Sequence, residues 1–383
     1  MANILVYENS SGFASYSYKL CNALVEIDKD NKYFYLTDSA NIYLNEIDER
    51  VTVKADLLVP SNIKSKGLLW MINRLYVGIS NILKRNNYIR KMEIEYLNIQ
   101  STLSVLDQFF LIFIPKRVKI ITTAHDVIPP VKSFYWTRRS LKKLYFSSDL
   151  VIVHSLSNKK QLMEQFNYDE KKIVVIHHGV DTKYKKFSRD VCCSELNIPN
   201  DNIPFLLFFG MIREQKGLDI LIKAINKVNS PCKLIIAGAM PHGESFQKYK
   251  TLMEDERKFI CQIGFIEENK LDYLFQMANV VVFPYKYFLS QSGVFMECLK
   301  YGKPVIATDV SSFRQYIEEY KMGLVAIPND VDDLASKIEN YLSLSDEEKK
   351  LFRNNLEKAA MDNSWEKAAE LYLKVFNNWT YEK

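Results

Sequence analysis

A chain of 383 residues is too long for one ordinary core, so two domains are expected. Its 48% apolar and 25% charged residues are those of a soluble globular protein. The six cysteines form no CxxC pair and the N-terminal MANILVYENSSGF lacks a signal-peptide pattern. The expectation is therefore a cytoplasmic chain with reduced thiols, no disulfide framework and no metal site.

The net charge of +5 is unevenly spread. Residues 1–190 hold 28 of the 51 Lys and Arg but only 19 of the 46 Asp and Glu, near +9, which leaves the remainder near −4. Only the first half is then expected to meet something anionic.

In chain order, Ile4 to Tyr7 reads as a strand, Ser10 to Phe13 as a tight turn around Gly12, and Ala14 to Ile27 as a helix. Further strands are expected at Tyr33–Thr37, Val51–Leu57, Leu103–Leu106, Val118–Thr123, Leu150–His154 and Ile173–His177, with helical stretches between several of them. That alternation predicts a doubly wound sheet.

Two windows of this half are basic and free of acids. Residues 57–92 contain Lys64, Lys66, Arg74, Lys84, Arg85, Arg90 and Lys91 among Trp70 and many aliphatics, and residues 132–143 add Arg138, Arg139, Lys142 and Lys143. A basic helix with Trp and aliphatics suits the plane of an anionic membrane surface. An ordinary domain helix with solvated lysines explains either window alone. Phe109 to Ile114, the longest apolar run near a basic flank, is too short to span a bilayer. Zinc-finger, helix-turn-helix and RNP patterns are absent, so nucleic acid is not the expected partner.

Polar residues gather at strand ends. His125-Asp126 closes the strand KIITTAHD, which puts both at the ligand edge of a doubly wound sheet; a buried, hydrogen-bonded histidine is the bland alternative. The stretch NIPNDNIP, ending at Pro204, breaks the pattern and reads as a linker.

The second half repeats the architecture, with strands expected at Phe205–Phe209, Lys233–Ala237, Gln262–Phe265, Val280–Phe283, Pro304–Thr308 and Leu324–Ile327. Helices are expected at Leu218–Val228 and Asp330–Leu342. In FFGMIREQKG, a strand ends at Gly210 and presents Arg213 and Lys216 before a helix, a place to bind a diphosphate. In VVVFPYKYFLSQSGVFMECLKYGKPVIATD, a buried strand leads through Gln291, Ser292 and Gly293 into a helix. Helix amides at that turn can hold a phosphate, and Gly293 lets it approach closely. Glu297, one turn on, can accept two ribose hydroxyls. A serine N-cap with a solvated glutamate is the plain reading of the same residues.

Together these motifs resemble the retaining nucleotide-sugar transferases of glycosyltransferase family 4. The matching stretches are GMIREQKGLDILIKA, KLIIAG, IGFIEENKLDYLFQMANVVVFP and SGVFMECLKYGKPVIATD, with weaker matches at Gly12, HDVIP, VIVHS and VIHHGVD. The resemblance implies an α/β GT-B fold, two Rossmann-like doubly wound domains facing each other across a cleft. It sets an acceptor-binding domain at 1–195, a nucleotide-sugar domain at 203–364, and a C-terminal helix, 365–383, packing back on the first.

Carried over motif by motif, the resemblance implies that Arg213 and Lys216 grip the donor diphosphate. Gly293 and Val294 hold the distal phosphate, with Gln291 and Ser292 in the same turn. Glu297 takes the ribose, and Ile263, Phe265 and Ile266 line the base pocket. His125 touches the donor sugar, and Gly12 with Phe13 forms the turn near the diphosphate and acceptor. Two positions depart from the family. Leu289 replaces the first of two glutamates eight positions apart, and Met211 stands where an arginine often follows the glycine.

No carboxylate pair is placed for a double displacement. The implied reaction is same-face substitution on a UDP- or GDP-sugar, with a glycan or lipid-linked acceptor. It needs no cofactor and no metal if the cations neutralise the diphosphate. Two other readings remain open at this stage: a UDP-sugar epimerase, and a catalytically silent sugar-nucleotide-binding subunit.

Overall fold

Runs such as Ile4–Tyr7, Leu150–Val153 and Val280–Phe283 are buried end to end, as strands covered on both faces must be. The computed structural model describes residues 1–9, 11–60, 67–100, 108, 110–128, 134–287 and 292–377. The chain divides into two units, Met1–Gly179 with Trp365–Lys383, and Val180–Ser364.

The first unit carries a parallel sheet of seven strands: β1 (Asn3–Tyr7), β2 (Lys32–Asp38), β3 (Thr52–Leu57), β4 (Tyr96–Ile99), β5 (Lys119–Ala124), β6 (Leu150–Val153) and β7 (Ile173–Val175). Their order is β3-β2-β1-β4-β5-β6-β7, so direction of growth reverses between β1 and β4. Helix α1 (Ala14–Ile27) buries Tyr16, Leu20, Leu24 and Val25 at three- and four-residue spacing, the stripe of an amphipathic helix. The closing helix Trp365–Asn377 lays Ala368, Ala369, Tyr372 and Phe376 into the same cluster. Tyr372 Oη lies 2.9 Å from Thr123 Oγ1.

The strand expected at Leu103–Leu106 lies outside the described residues; β4 runs over Tyr96–Ile99. Its apolar run is interrupted by Asn98, which is buried and accepts a hydrogen bond from Thr123 Oγ1 at 3.1 Å. Helix α2 (Leu68–Lys91) occupies most of the first basic window, but Arg85 is not on its surface. It is fully buried, with its guanidinium 5.3 Å from the Tyr7 ring. The exposed cations of α2 are Arg74, Arg90 and Lys91, beside exposed Leu68, Leu69, Met71, Ile72, Leu75, Tyr76, Ile79 and Leu83. Lys64 and Lys66 lie outside the described residues. The second window lies mostly on α3 (Phe134–Ser147), where Arg138 donates to Gln165 O. Among the described residues no helix is long and apolar enough to cross a membrane.

The second unit carries six parallel strands: β8 (Phe205–Phe209), β9 (Lys233–Gly238), β10 (Phe259–Ile263), β11 (Val280–Phe283), β12 (Val305–Thr308) and β13 (Gly323–Ala326). The order β10-β9-β8-β11-β12-β13 reverses between β8 and β11. The unit begins at Val180, ahead of the expected boundary, for a packing reason. Helix α4 (Leu156–Phe166) still belongs to the first unit, but α5 (Arg189–Glu195) puts Cys192 and Cys193 into the core around Phe205, Leu274 and Phe275. Val180 N also donates to Asn363 O at 2.8 Å. Strand β10 ends at Ile263 rather than Phe265, and Gly264 follows at a φ of +148°, a turn out of the extended course that glycine permits.

Candidate functional site

In open parallel sheets ligands sit at the carboxyl ends of the strands, where the strand order reverses. In the second unit that place is the gap between β8 and β11. Strand β8 runs into Gly210 at φ +108°. The chain then makes a single 3-10 turn, Glu214–Lys216, and enters helix α6 (Leu218–Lys227) through Gly217 in the left-handed region. A Cβ on Gly217 would stand 1.9 Å from Pro284 O, so this backbone approach is open only to glycine. Lys286 N donates to Gln215 O at 2.8 Å, and Lys286 Nζ pairs with Asp219 at 2.9 Å. The loops after β8 and β11 are thereby fastened to each other.

The result is a fixed place for Lys216. Its Nζ lies 2.9 Å from where a Cβ on Gly210 would stand, and Val294 Cγ2 lies 3.5 Å from the same point. The ammonium is 5.3 Å from the Tyr285 ring centre. Burial, and then the neighbouring charge of Arg213, hold the Lys216 pKa down at about 8. Both causes favour loss of the proton, so a bound anion would relieve both. Arg213 is exposed, its Nε 3.2 Å from Met211 Sδ. Met211, in the place where the family often has an arginine, thus lies against the displaced one.

Facing Lys216 is the start of α8 (Gly293–Lys300). Ser292 is in the N-cap position but makes no side-chain cap bond. Phe295 N donates to Ser292 O at 3.0 Å, and among the described residues the amides of Gly293 and Val294 keep their donors for another partner. A Cβ on Gly293 would meet nothing within 4 Å, so internal packing does not demand glycine there. Glu297 is half-buried on the next turn, its Oε2 3.9 Å from Lys300 Nζ, which lies 3.7 Å from Asp272. At the end of β10, Ile263 is exposed, as is Phe265 just beyond it at 89%, while Ile266 packs on the core. A Cβ on Gly238 would fall 2.1 Å from Gly210 O, and Gly264 N donates to Gly238 O. The ends of β8, β9 and β10 are drawn together with that of β11. Gln291, like Leu289 and Ser290, lies outside the described residues.

The first unit builds a second polar cluster at the carboxyl ends of its own strands. Glu8, directly after β1, is fully buried, and burial raises its pKa. It accepts hydrogen bonds from Phe13 N at 2.8 Å and Tyr35 Oη at 2.7 Å. That fixes the turn Ser11–Phe13, which contains Gly12. The Phe13 ring stacks on His125 at 4.1 Å and 9°.

His125 belongs to a chain whose tautomers can be derived. His154 Nδ1 lies 2.8 Å from Ile176 O, a pure acceptor, so this nitrogen carries a hydrogen. Neutral His154 then has a bare Nε2, 3.0 Å from His125 Nδ1, which must donate. His125 Nε2 is left bare; Gln100 Oε1 stands 3.1 Å from it, so this tautomer calls for the Gln100 amide turned over, its buried and otherwise unbonded Nε2 then donating to the ring. Both rings are neutral: burial, then neighbouring histidines, hold His125 well below the usual histidine range and His154 at about 3. His125 therefore presents a neutral ring with both nitrogens engaged, suited to shaping a wall and not to carrying protons.

The sequence reading named the strand-end glycines and cations but passed over Glu8, Tyr285 and the Gly217–Pro284 contact. Glu8 carried one legible signal, a carboxylate directly after a buried strand. The Gly217 contact carried none, since its partner is 67 positions away. Among the described residues, no group of three or more His, Cys, Asp or Glu side chains is arranged to hold a metal.

A family model described as "Glycosyl transferases group 1" matches residues 195–359, and one described as "Glycosyltransferase Family 4" matches residues 11–184. An uncharacterised glycosyltransferase of Methanocaldococcus jannaschii is 27% identical over 207 residues, 52% of each chain. The chain thus spans about half the length of the curated relatives it matches. Among solved structures, a glycosyltransferase from Rickettsia africae superposes with a TM-score of 0.78 at 18% identity over 98% of both chains. Anabaena HepE in complex with UDP-glucose does so with 0.74 at 15% identity, over 99% of this chain and 100% of that one. These likenesses establish the GT-B type of fold.

Proposed function

This chain belongs to the family 4, group 1 glycosyltransferases, and on that premise we propose that it moves a hexose from a nucleotide-sugar to a hydroxyl of a glycan acceptor, with retention at the anomeric carbon. The observation that carries the reading is the pairing of half-buried Lys216 with the first two amides of α8 at the β8–β11 switch point. There the diphosphate would lie between a cation and helix amides. Breaking the anomeric C–O bond leaves charge on the distal phosphate, and preorganised donors aimed at that charge supply the largest catalytic contribution. The acceptor oxygen bonds to the same face of the sugar, and its proton passes to the departing phosphate. His125, neutral and internally bonded, exchanges no proton. With Arg213, Lys216 and the amides neutralising the diphosphate, the reading needs no metal.

UDP-glucose, held by the Anabaena protein, heads the list of donors, and Glu297 would take the ribose. For the acceptor we favour a lipid-linked glycan of cell-surface polysaccharide synthesis, met at the inner face of the cytoplasmic membrane. The support is α2, whose exposed apolar side chains lie beside Arg74, Arg90 and Lys91. The test is a panel of UDP- and GDP-sugars scored by thermal shift, then by product formation with added acceptor. A donor that stabilises the chain and is consumed only with acceptor supports transfer. Epimer formed without acceptor would favour an epimerase, and binding without turnover a silent subunit, which Leu289 makes worth testing.

A further inference from the structure

The second unit has a cavity of about 410 Å³ at the amino ends of β8, β11 and β12, the opposite edge of the sheet from Gly210 and Gly293. Arg189, Lys303, Lys349 and Arg353 line it, with Asp346 as its one acid. None of the four cations has a carboxylate within 4 Å among the described residues. The ordinary role for such cations is to cover carbonyls at helix C-termini, and it accounts for part of the cluster. Lys303 Nζ donates to Gln276 O, near the end of α7 (Glu268–Met277). Lys349 donates to Leu342 O, and Arg189 to Ile203 O, Asn200 and Asn279. Each lysine bond uses one of three ammonium hydrogens. Arg353 is exposed and makes no such bond among the described residues, so its donors remain available.

We propose that this cavity is a binding site for a small, multiply charged oxyanion, a phosphate or diphosphate group of a metabolite, separate from the donor site. An oxyanion accepts several N–H bonds at once and Arg353 offers a planar fork matched to it. The unit around it, Val180–Ser364, holds 24 Lys and Arg against 26 Asp and Glu and sums to −2, so the positive field is local to the cavity. Burial, then the charges of Arg353 and Arg189, hold the Lys303 pKa at about 8. A bound anion would offset that cost.

The test is calorimetric titration of the full chain with inorganic pyrophosphate, in the native form and in three variants. We expect a binding event that weakens at least ten-fold in Lys303→Met/Arg353→Ala and persists in Arg213→Ala/Lys216→Ala. Arg353→Glu, at an exposed position, provides the same reading should the change at half-buried Lys303 impair folding. The proposal is overturned if the native chain binds no pyrophosphate at millimolar concentration. It is equally overturned if folded cavity variants bind as the native chain does.

Discussion

Lys216 Nζ and the α-carbon of Gly210 are so close that a single methyl group on the glycine would come within 2.9 Å of the ammonium. Gly210→Ala is therefore expected to displace the cation and to strain a backbone at φ +108°. Such strain costs about 1–3 kcal/mol, measurable by denaturant unfolding. Nucleotide diphosphate affinity should fall with it. An alanine variant of native stability and affinity would mean that Lys216 is not held as described.

Lys216→Ala and Arg213→Ala should each lower transfer while leaving the unit folded. Loss of one donor to the developing phosphate charge costs about 2.7–4 kcal/mol, or 100- to 1,000-fold in turnover. Steady-state rates with the donor found in the panel decide it, and near-native turnover in both removes them from the reaction.

Donor affinity should depend on pH through Lys216. Its pKa in the unoccupied site is about 8, and the diphosphate binds the charged form. Affinity should be full below pH 8 and decline above it, with proton uptake on binding near that pH. Titrations between pH 6.5 and 9.5 check the sign, and Lys216→Ala should flatten the profile.

The histidine chain makes the opposite demand on stability. His154 is held at about 3 in the folded state, against about 6.5 in an unfolded chain. The unfolded state therefore binds more protons below pH 6.5, and stability falls as pH drops from there toward 3. His154→Gln, uncharged at any pH, should shrink that slope in thermal unfolding followed from pH 7.5 to 5.

Glu297→Gln should weaken nucleotide binding more than folding, since a carboxylate can accept from two hydroxyls at once. Calorimetry with the free nucleotide diphosphate tests this, and unchanged affinity returns Glu297 to a partner of Lys300.

Membrane docking is tested at the exposed cations of α2. Arg85 is buried against Tyr7, so reversing its charge should unfold the region. Arg90→Glu/Lys91→Glu changes exposed positions. Each cation near an anionic surface contributes about 1 kcal/mol. The native chain should cosediment with anionic vesicles at low salt, and the double variant much less. Indifference to anionic vesicles would make a soluble acceptor the better reading.

Much of this was legible from residues alone, because short-range physics governs it. Helix α1 begins at Ala14 and ends at Ile27 as its apolar spacing predicts, and β8 and β11 coincide with their apolar runs. A run buried on both faces needs no partner to be recognised. Gly210 and Gly293 also announced themselves, as glycines between a strand and a helix. Folding decided what depends on residues far apart in sequence. Asn98 hid β4 by interrupting its apolar run, and its polarity is tolerated because Thr123 bonds to it. Arg85 looked like a surface cation until the sheet covered it. The tautomer of His125 follows from a carbonyl at Ile176, passed on through His154. Periodicity reports which face of an element is apolar, but the partner that satisfies a buried polar group is chosen only when distant strands meet.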